Sequence, residues 1–506
     1  MSAVPHQDAA ALRSEPAAVR GRPAAPSSGV EVHDGGVAGG GPGRVLLVCH
    51  AFATPGHTGG FRWRALTREL ARRGWRFDVV AAVPPSGPEA PSPDPERVRV
   101  HAVPGDWWLG RLRRRRLLRH LERERAGRAR EGPSPAPVDP AAVPVVGPGQ
   151  PLGAVEHLRT AALGALDAAH GAVWRRRALR LARRLVAAGD HALVLGTTPE
   201  PAAQDAAAAL ARESGLPFVA EYRDPRVFGR GVDRARLDLA TRRRERRAEL
   251  RALEAAAAVV DIAAGAGRRS VAELRAAAPA LAALPRVTIP SGYEPAEAGP
   301  VDPERFEVLY GGWLWPFMPL PALLGAAGRV ARRLDAEAGH RVPEFGVTLV
   351  GVERRFNGVP LDTIAEGAGL AGRFRARPRL AREEVARLQE RAAVLVAFDS
   401  VCASAVCIPS KLYHCARCRG ELLPIGRPDG AMAEEAAKID VATVAPEDGA
   451  GIEARLRTAW DRWRRGELVR PADREGRFEV RHRADEMAAL FERVRVPAPT
   501  GRAGRT

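Results

Sequence analysis

Val406–Ile425 reads VCIPSKLYHCARCRGELLPI, and several unusual features coincide in it. Of the 78 basic residues in the chain only Lys411 and Lys438 are lysines, so a positive charge elsewhere is an arginine. A lysine kept against that bias suits a place where a compact ammonium fits and a planar guanidinium does not. Pro409 suits a first helical turn, Ser410 is a capping residue type, and Leu412, Tyr413 and Ala416 continue at helical spacing. Unbonded N–H groups, the positive helix end and Lys411 are therefore expected to meet at one point that receives phosphate. The apolar run Ala393–Phe398 precedes the loop Asp399–Ile408, and a second run, Leu422–Ile425, follows the helix. Strand, loop, helix and strand in this order build a parallel sheet whose ligands lie at its carboxyl edge.

The same alternation extends outward in both directions. Toward the C-terminus, Ala431–Lys438, Val441–Val444 and Gly451–Trp463 continue it. Upstream, Phe306–Tyr310 ends in Gly311-Gly312, and strands at Gly346–Val350 and Arg373–Ala376 alternate with helices at Pro319–Leu334, Leu361–Ala368 and Arg382–Arg391. Glu294–Glu304 (EPAEAGPVDPE) is a linker by composition. Before it lies a second series that opens with the strand Arg44–His50, a loop carrying Gly59-Gly60, the amphipathic helix Phe61–Arg73 and the strand Phe77–Val83. Glycine without Cβ lets a ligand approach such a loop closely. Strands at Val98–Val103, Ala192–Leu195, Phe218–Glu221, Ala256–Ala263 and Val287–Ile289 complete it. Tyr222-Arg223-Asp224-Pro225 follows one strand directly, which puts an Arg-Asp pair where a cleft is expected; the competing role is a structural ion pair that pins the loop.

Ile408-Pro409-Ser410-Lys411-Leu412-Tyr413 resembles the nucleotide-sugar motif in the C-terminal domain of retaining GT-B glycosyltransferases of the family 4-like group. The Gly59-Gly60 opening, Arg223-Asp224-Pro225 and Ile289-Pro290-Ser291-Gly292 resemble further parts of that family, with Arg226 where tryptophan is usual and Ser291 where asparagine is. The resemblance covers most of residues 44–103 and 190–495. It implies an α/β protein of two doubly wound, Rossmann-like parallel-sheet domains facing across a cleft. The expected boundaries are a disordered tail over 1–43, an acceptor domain over 44–293 with a flexible insertion at 132–153, a nucleotide-sugar domain over 305–475, and a helix packing back, with a tail, over 476–506.

It also implies roles. Lys411 and Asp224 are the catalytic candidates. Gly311, Gly312, Trp313, Arg377, Ser410, Lys411, Leu412 and His414 are expected to bind the donor, and Gly59, Gly60 and Arg223 the acceptor. Positive groups must face the leaving diphosphate because negative charge grows there during glycosyl transfer. His414 stands where the family has a glutamate for the ribose hydroxyls, and a neutral imidazole offers one acceptor only. Trp313–Leu320 lacks the family's second basic residue, for which Arg354 or Arg355 is the nearest substitute. Retention with the departing phosphate taking the acceptor's proton needs no separate base, whereas His57 or Asp224 is the candidate for inversion. A nucleotide-sugar 2-epimerase on the same fold is the alternative enzyme, and a non-catalytic basic module for anionic polymers or membranes the alternative of another kind.

Bulk properties narrow the choice. At 506 residues two domains are expected, and 45% hydrophobic residues supply real cores. No run is long enough to cross a membrane and Met1–Val30 lacks the apolar centre of a signal peptide, so a cytoplasmic protein is expected, with possible peripheral contact at the inner membrane face. The net charge of +18 is concentrated in the first 300 residues. Gly105–Arg130, Gly171–Arg184 and Arg223–Arg251 carry it; the first reads foremost as a solvated basic helix, and its Trp107-Trp108 are the anchors for the competing reading of electrostatic membrane contact. No aromatic-interleaved module accompanies the charge, so nucleic acid is not an expected partner; a nucleotide-sugar donor and a glycan, lipid or small-molecule acceptor are. Cys402, Cys407, Cys415 and Cys418 lie within 17 residues, the last three inside the central stretch. They read either as small packing residues or as a four-thiolate metal set of unfamiliar spacing; the expectation is neither metal nor cofactor.

Overall fold

The structure, a computed structural model, describes residues 42–54, 58–84, 89–104, 136–145, 154–229, 239–399 and 406–495, all within the unit Gly41–Thr506. Seven parallel strands make the first sheet: β1 (Arg44–Val48), β2 (Arg76–Ala82), β3 (Val98–Val103), β4 (His191–Thr197), β5 (Phe218–Tyr222), β6 (Ala256–Asp261) and β7 (Arg286–Thr288), in the order β3-β2-β1-β4-β5-β6-β7. The second lobe holds β8 (Phe306–Gly311), β9 (Phe345–Val350), a small antiparallel hairpin of β10 (Arg355–Phe356) and β11 (Val359–Pro360), β12 (Phe374–Arg377), β13 (Val394–Phe398) and β14 (Glu421–Ile425). Its five parallel strands run β12-β9-β8-β13-β14. Both orders reverse direction once, between β1 and β4 and between β8 and β13, and such reversals open a crevice beyond the strand ends.

Central strands are largely apolar because helices cover both faces: β4, β9 and β13 are buried at every position. The helix Thr58–Arg72 buries Trp63, Leu66 and Leu70 on one face against the first sheet. The final helix, Val480–Val494, adds Val480, Ala484, Met487, Leu490 and Phe491 to the same core. Phe491 meets Trp75 edge-on at 5.2 Å. Chain therefore returns from the second lobe to the first, crossing beside Tyr293, whose N–H bonds to Phe478 O at 3.0 Å. The Tyr293 hydroxyl donates to Asp473 at 2.9 Å.

Several expectations are corrected. Val441–Val444 forms no strand, only a bridge from Val444 to Ile425. Pro424, within β14, offers its carbonyl to Val444 N–H but has no N–H to return, so pairing stops there. Long helices over Ala154–Ala188, Leu239–Glu254 and Ala264–Ala277 lie where no helix was expected. Part of the insertion at 132–153 is packed: Val143 is buried in the second lobe's core and Val138 N–H bonds to Thr363 O at 3.1 Å. The tail, Trp107-Trp108 and the arginine run 111–130 lie outside the described residues.

Candidate active site

The loop after β8 and the helix after β13 face each other across the reversal in the second sheet. Gly312 stands at the tip of β8 with φ of 130°, and its N–H bonds to Val350 O at 2.7 Å. Lys411 comes to this point from the other side. A methyl group built on Gly312 would lie 2.5 Å from Lys411 Cε and 2.8 Å from its Nζ, so both the backbone angle and the approaching lysine require glycine. The Tyr310 ring lies beneath the ammonium, its centroid 4.9 Å from Nζ. Among the described residues no carboxylate forms an ion pair with Lys411. Burial pulls its pKa from 10.5 down to about 8, opposed by the sulfurs of Cys415 and Cys407.

The surroundings of Lys411 differ in part from the sequence reading. Ser410 already has helical angles and its side chain makes no capping bond. The helix, Lys411–Ala416, has six residues, and its Leu412 N–H is satisfied by Pro409 O at 3.0 Å. A helix this short contributes little dipole, so the cation itself carries the site's positive charge. Leu412 is wholly buried, which leaves only its backbone for a ligand. His414 is held neutral: burial, then the guanidiniums of Arg382 and Arg417, push its pKa down to about 4.

Gly311, Gly312, Trp313 and Lys411 are thus brought together. Trp313 takes the Tyr310 hydroxyl on its carbonyl at 2.7 Å and leaves its indole 49% exposed. Arg377 ends β12 one strand beyond β9, its carbonyl accepting from Gly351 N–H at 3.0 Å and its guanidinium 3.3 Å from Glu384. Arg355 is exposed in the β10–β11 hairpin and donates to Gly358 O at 2.9 Å. Three neighbours went unnoticed in the sequence. Tyr310 read as a core strand residue, although an aromatic directly before Gly-Gly was the available sign. Gly351 adopts φ of 80° against Gly312, and Arg382 lies 4.1 Å over the Phe61 ring, linking the two lobes.

First-lobe candidates are arranged differently. Gly59 and Gly60 belong to the first turn of the helix Thr58–Arg72, not to a loop. A Cβ on Gly60 would come within 2.6 Å of Ala51 O, so close packing accounts for that glycine. Arg223 and Asp224 sit beyond β5 and pair with each other at 2.8 Å; among the described residues neither bonds to the second lobe. Asp224 N–H also donates to Thr198 Oγ1 at 3.1 Å, which fixes the turn to the tip of β4. Arg226, in place of the usual tryptophan, is a buried hub that reaches Asp205 at 2.7 Å and Glu245 at 3.0 Å. His57 and Cys402 lie outside the described residues. Among the described residues no three His, Cys, Asp or Glu side chains are placed to hold a metal, and no helix is long and apolar enough to cross a membrane.

No family model matches the sequence, and no curated protein matches it. Solved structures do. The chain is similar to an OtsA apo structure at TM-score 0.54 and 12% identity, covering 90% of this chain and 100% of that one. It is similar to Anabaena Alr3699/HepE in complex with UDP-glucose at TM-score 0.53 and 12% identity, covering 89% and 100%. A Burkholderia vietnamiensis α,α-trehalose-phosphate synthase (UDP-forming) matches at TM-score 0.51 and 13% identity, covering 89% and 99%. Likeness at this identity is likeness of fold. The fold is GT-B, two parallel-sheet α/β domains.

Proposed function

We propose that the chain is a glycosyltransferase that moves a sugar from a nucleoside-diphosphate donor to an acceptor hydroxyl, with retention of configuration. One observation carries the reading: a half-buried lysine ammonium, given no carboxylate among the described residues, rests against a glycine strand tip at the reversal of the second sheet. A partly desolvated cation without an anion is costly, and a ligand diphosphate is the anion that would relieve it. The solved complex of a GT-B protein with UDP-glucose supports the choice of anion. In the reaction the acceptor oxygen bonds to the anomeric carbon while that carbon's bond to the phosphate oxygen breaks. The departing electron pair stays on the diphosphate, where Lys411 opposes the growing charge. The same phosphate oxygen takes the acceptor's proton, so no separate base is required.

Gly311 and Gly312 would admit the diphosphate to the backbone, Trp313 would wall the site, and Ser410, Leu412 and His414 would line its nucleoside side. Neutral His414 supplies one acceptor to a ribose hydroxyl. Arg377 would reach the base and Arg223 the acceptor, whereas Gly59 and Gly60, buried in the first turn of their helix, serve packing instead. Asp224 is engaged by Arg223, which favours a role in orienting the acceptor over one as base. Thermal shift with UDP, GDP and ADP, on the wild type and on Lys411→Ala, tests the reading. Stabilisation by one diphosphate that vanishes in the variant is expected; no stabilisation by any of the three would overturn it.

A further inference from the structure

Beyond Gly312 the loop reads Trp313-Leu314-Trp315-Pro316-Phe317, with the aromatics at alternate positions. Their rings form a continuous row. Trp313 and Trp315 meet edge to face at 6.4 Å, and Trp315 lies parallel to Phe317 at 5.9 Å, 4° between planes. Trp313 and Trp315 are 49% and 51% exposed, and Val145, one residue past Pro144, is 37% exposed. These are three of the six large apolar side chains exposed among the described residues. One amide ties the row to its edge: Asn357 Nδ2 donates to Pro144 O at 2.6 Å and to Pro316 O at 2.8 Å. The packed segment 136–145 thus borders an aromatic shelf that begins one residue past the glycine touching Lys411.

Shape and chemistry select the occupant. Among the described residues neither indole N–H has an acceptor, so each tryptophan offers a π face and a free donor at its rim. An aliphatic chain laid on the shelf would strand those donors without an acceptor, which is unfavourable. A pyranose ring presents C–H groups to the face and hydroxyls to the N–H. No charged side chain occurs from Trp313 to Leu320, so the aromatic row itself carries no charge for a phosphate or a carboxylate.

We propose that Trp313 and Trp315, on the shelf edged by Pro144, dock the pyranose rings of a neutral carbohydrate acceptor. The proposal rests on the reading of Lys411 as the donor site, because it is continuity with that site that makes the glycan an acceptor. Calorimetric titration with maltohexaose, cellohexaose, mannohexaose and galactohexaose, each with and without UDP, tests it, with decyl phosphocholine as the hydrocarbon probe. At least one glycan should bind, about tenfold more weakly to Trp315→Ala and by an intermediate factor to Trp315→Phe, which keeps the face and loses the donor. UDP-induced thermal stabilisation should be unchanged in both variants. Binding of no glycan, equal binding by wild type and Trp315→Ala, or preference for the decyl chain would each overturn the shelf. A UDP shift without glycan binding defeats the shelf alone, whereas glycan binding without a UDP shift defeats the donor reading and leaves a carbohydrate-binding shelf.

Discussion

The two lobes treat buried charge in opposite ways. In the first, Arg62 is almost wholly buried yet complete: it donates to Glu221 at 3.0 Å, Pro290 O at 2.5 Å and Ile289 O at 2.7 Å. Trp63 supplies the other oxygen of Glu221 with an N–H at 2.5 Å. Arg226 is bonded through both terminal nitrogens, to Gln204, Asp205 and Glu245. In the second lobe, among the described residues, Lys411 has an aromatic ring and two thiols beside it and no carboxylate partner. A buried charge that is satisfied holds structure; one left unsatisfied is explained by an absent partner. Arg62 is also the deeper of the two, so the lobes differ in partners and in depth.

The largest expected effect breaks the satisfied side. Glu221→Ala strands two buried donors and should cost roughly 3–5 kcal/mol of stability, read by denaturant unfolding. On the unsatisfied side, Lys411→Met should leave stability unchanged or raised while weakening diphosphate binding by about ten- to hundredfold, read by calorimetry. A fall in stability comparable to that of Glu221→Ala would erase the contrast. Gly312→Ala should cost about 1–3 kcal/mol through its positive φ and displace the lysine, so diphosphate binding should weaken with it.

Titration sharpens the comparison further. In the free protein the Lys411 ammonium is protonated below about pH 8, so diphosphate affinity should decline as pH rises through 8, and Lys411→Met should show no such decline. The same shift has a stability consequence of opposite sign to that of a salt bridge. Lys411 is lowered from 10.5 to about 8, so it opposes folding below pH 8 and the penalty is relieved between 8 and 10.5. Asp78 supplies the contrast within the first lobe. Burial alone would raise its pKa, but hydrogen bonds from His101, His191 and Arg44 hold it well below the usual carboxylate range. Its contribution is present above the unfolded carboxylate's value and is lost as the pH falls through the folded one; Asp78→Asn should therefore flatten the acid side of a stability profile.

Much of this fold was legible because buried parallel strands are short apolar runs, and β1, β4, β9 and β13 each read as one. The helix Ala154–Ala188 was not, since its alanines and arginines mark no distinct stripe and arginine stems pack along apolar surface. The strand expected at Val441–Val444 failed on a single missing donor, at Pro424. In the site, Gly311, Gly312 and Lys411 were visible as residue types out of keeping with their surroundings. The cap at Ser410 was not decided by residue type, because its backbone angle was needed to exclude it. Arg62 and Glu221 lie 159 residues apart, and no local pattern joins them.

With two lysines in the chain, selective lysine labelling gives two ammonium-linked resonances, which makes the central claim directly measurable. One resonance, absent from Lys411→Met, should titrate near pH 8 and move to higher pH when UDP is added, while that of Lys438, 2.5 Å from Glu435, should not respond to UDP. A Lys411 resonance that titrates at the ordinary lysine value, about 10.4, and ignores UDP would contradict the account.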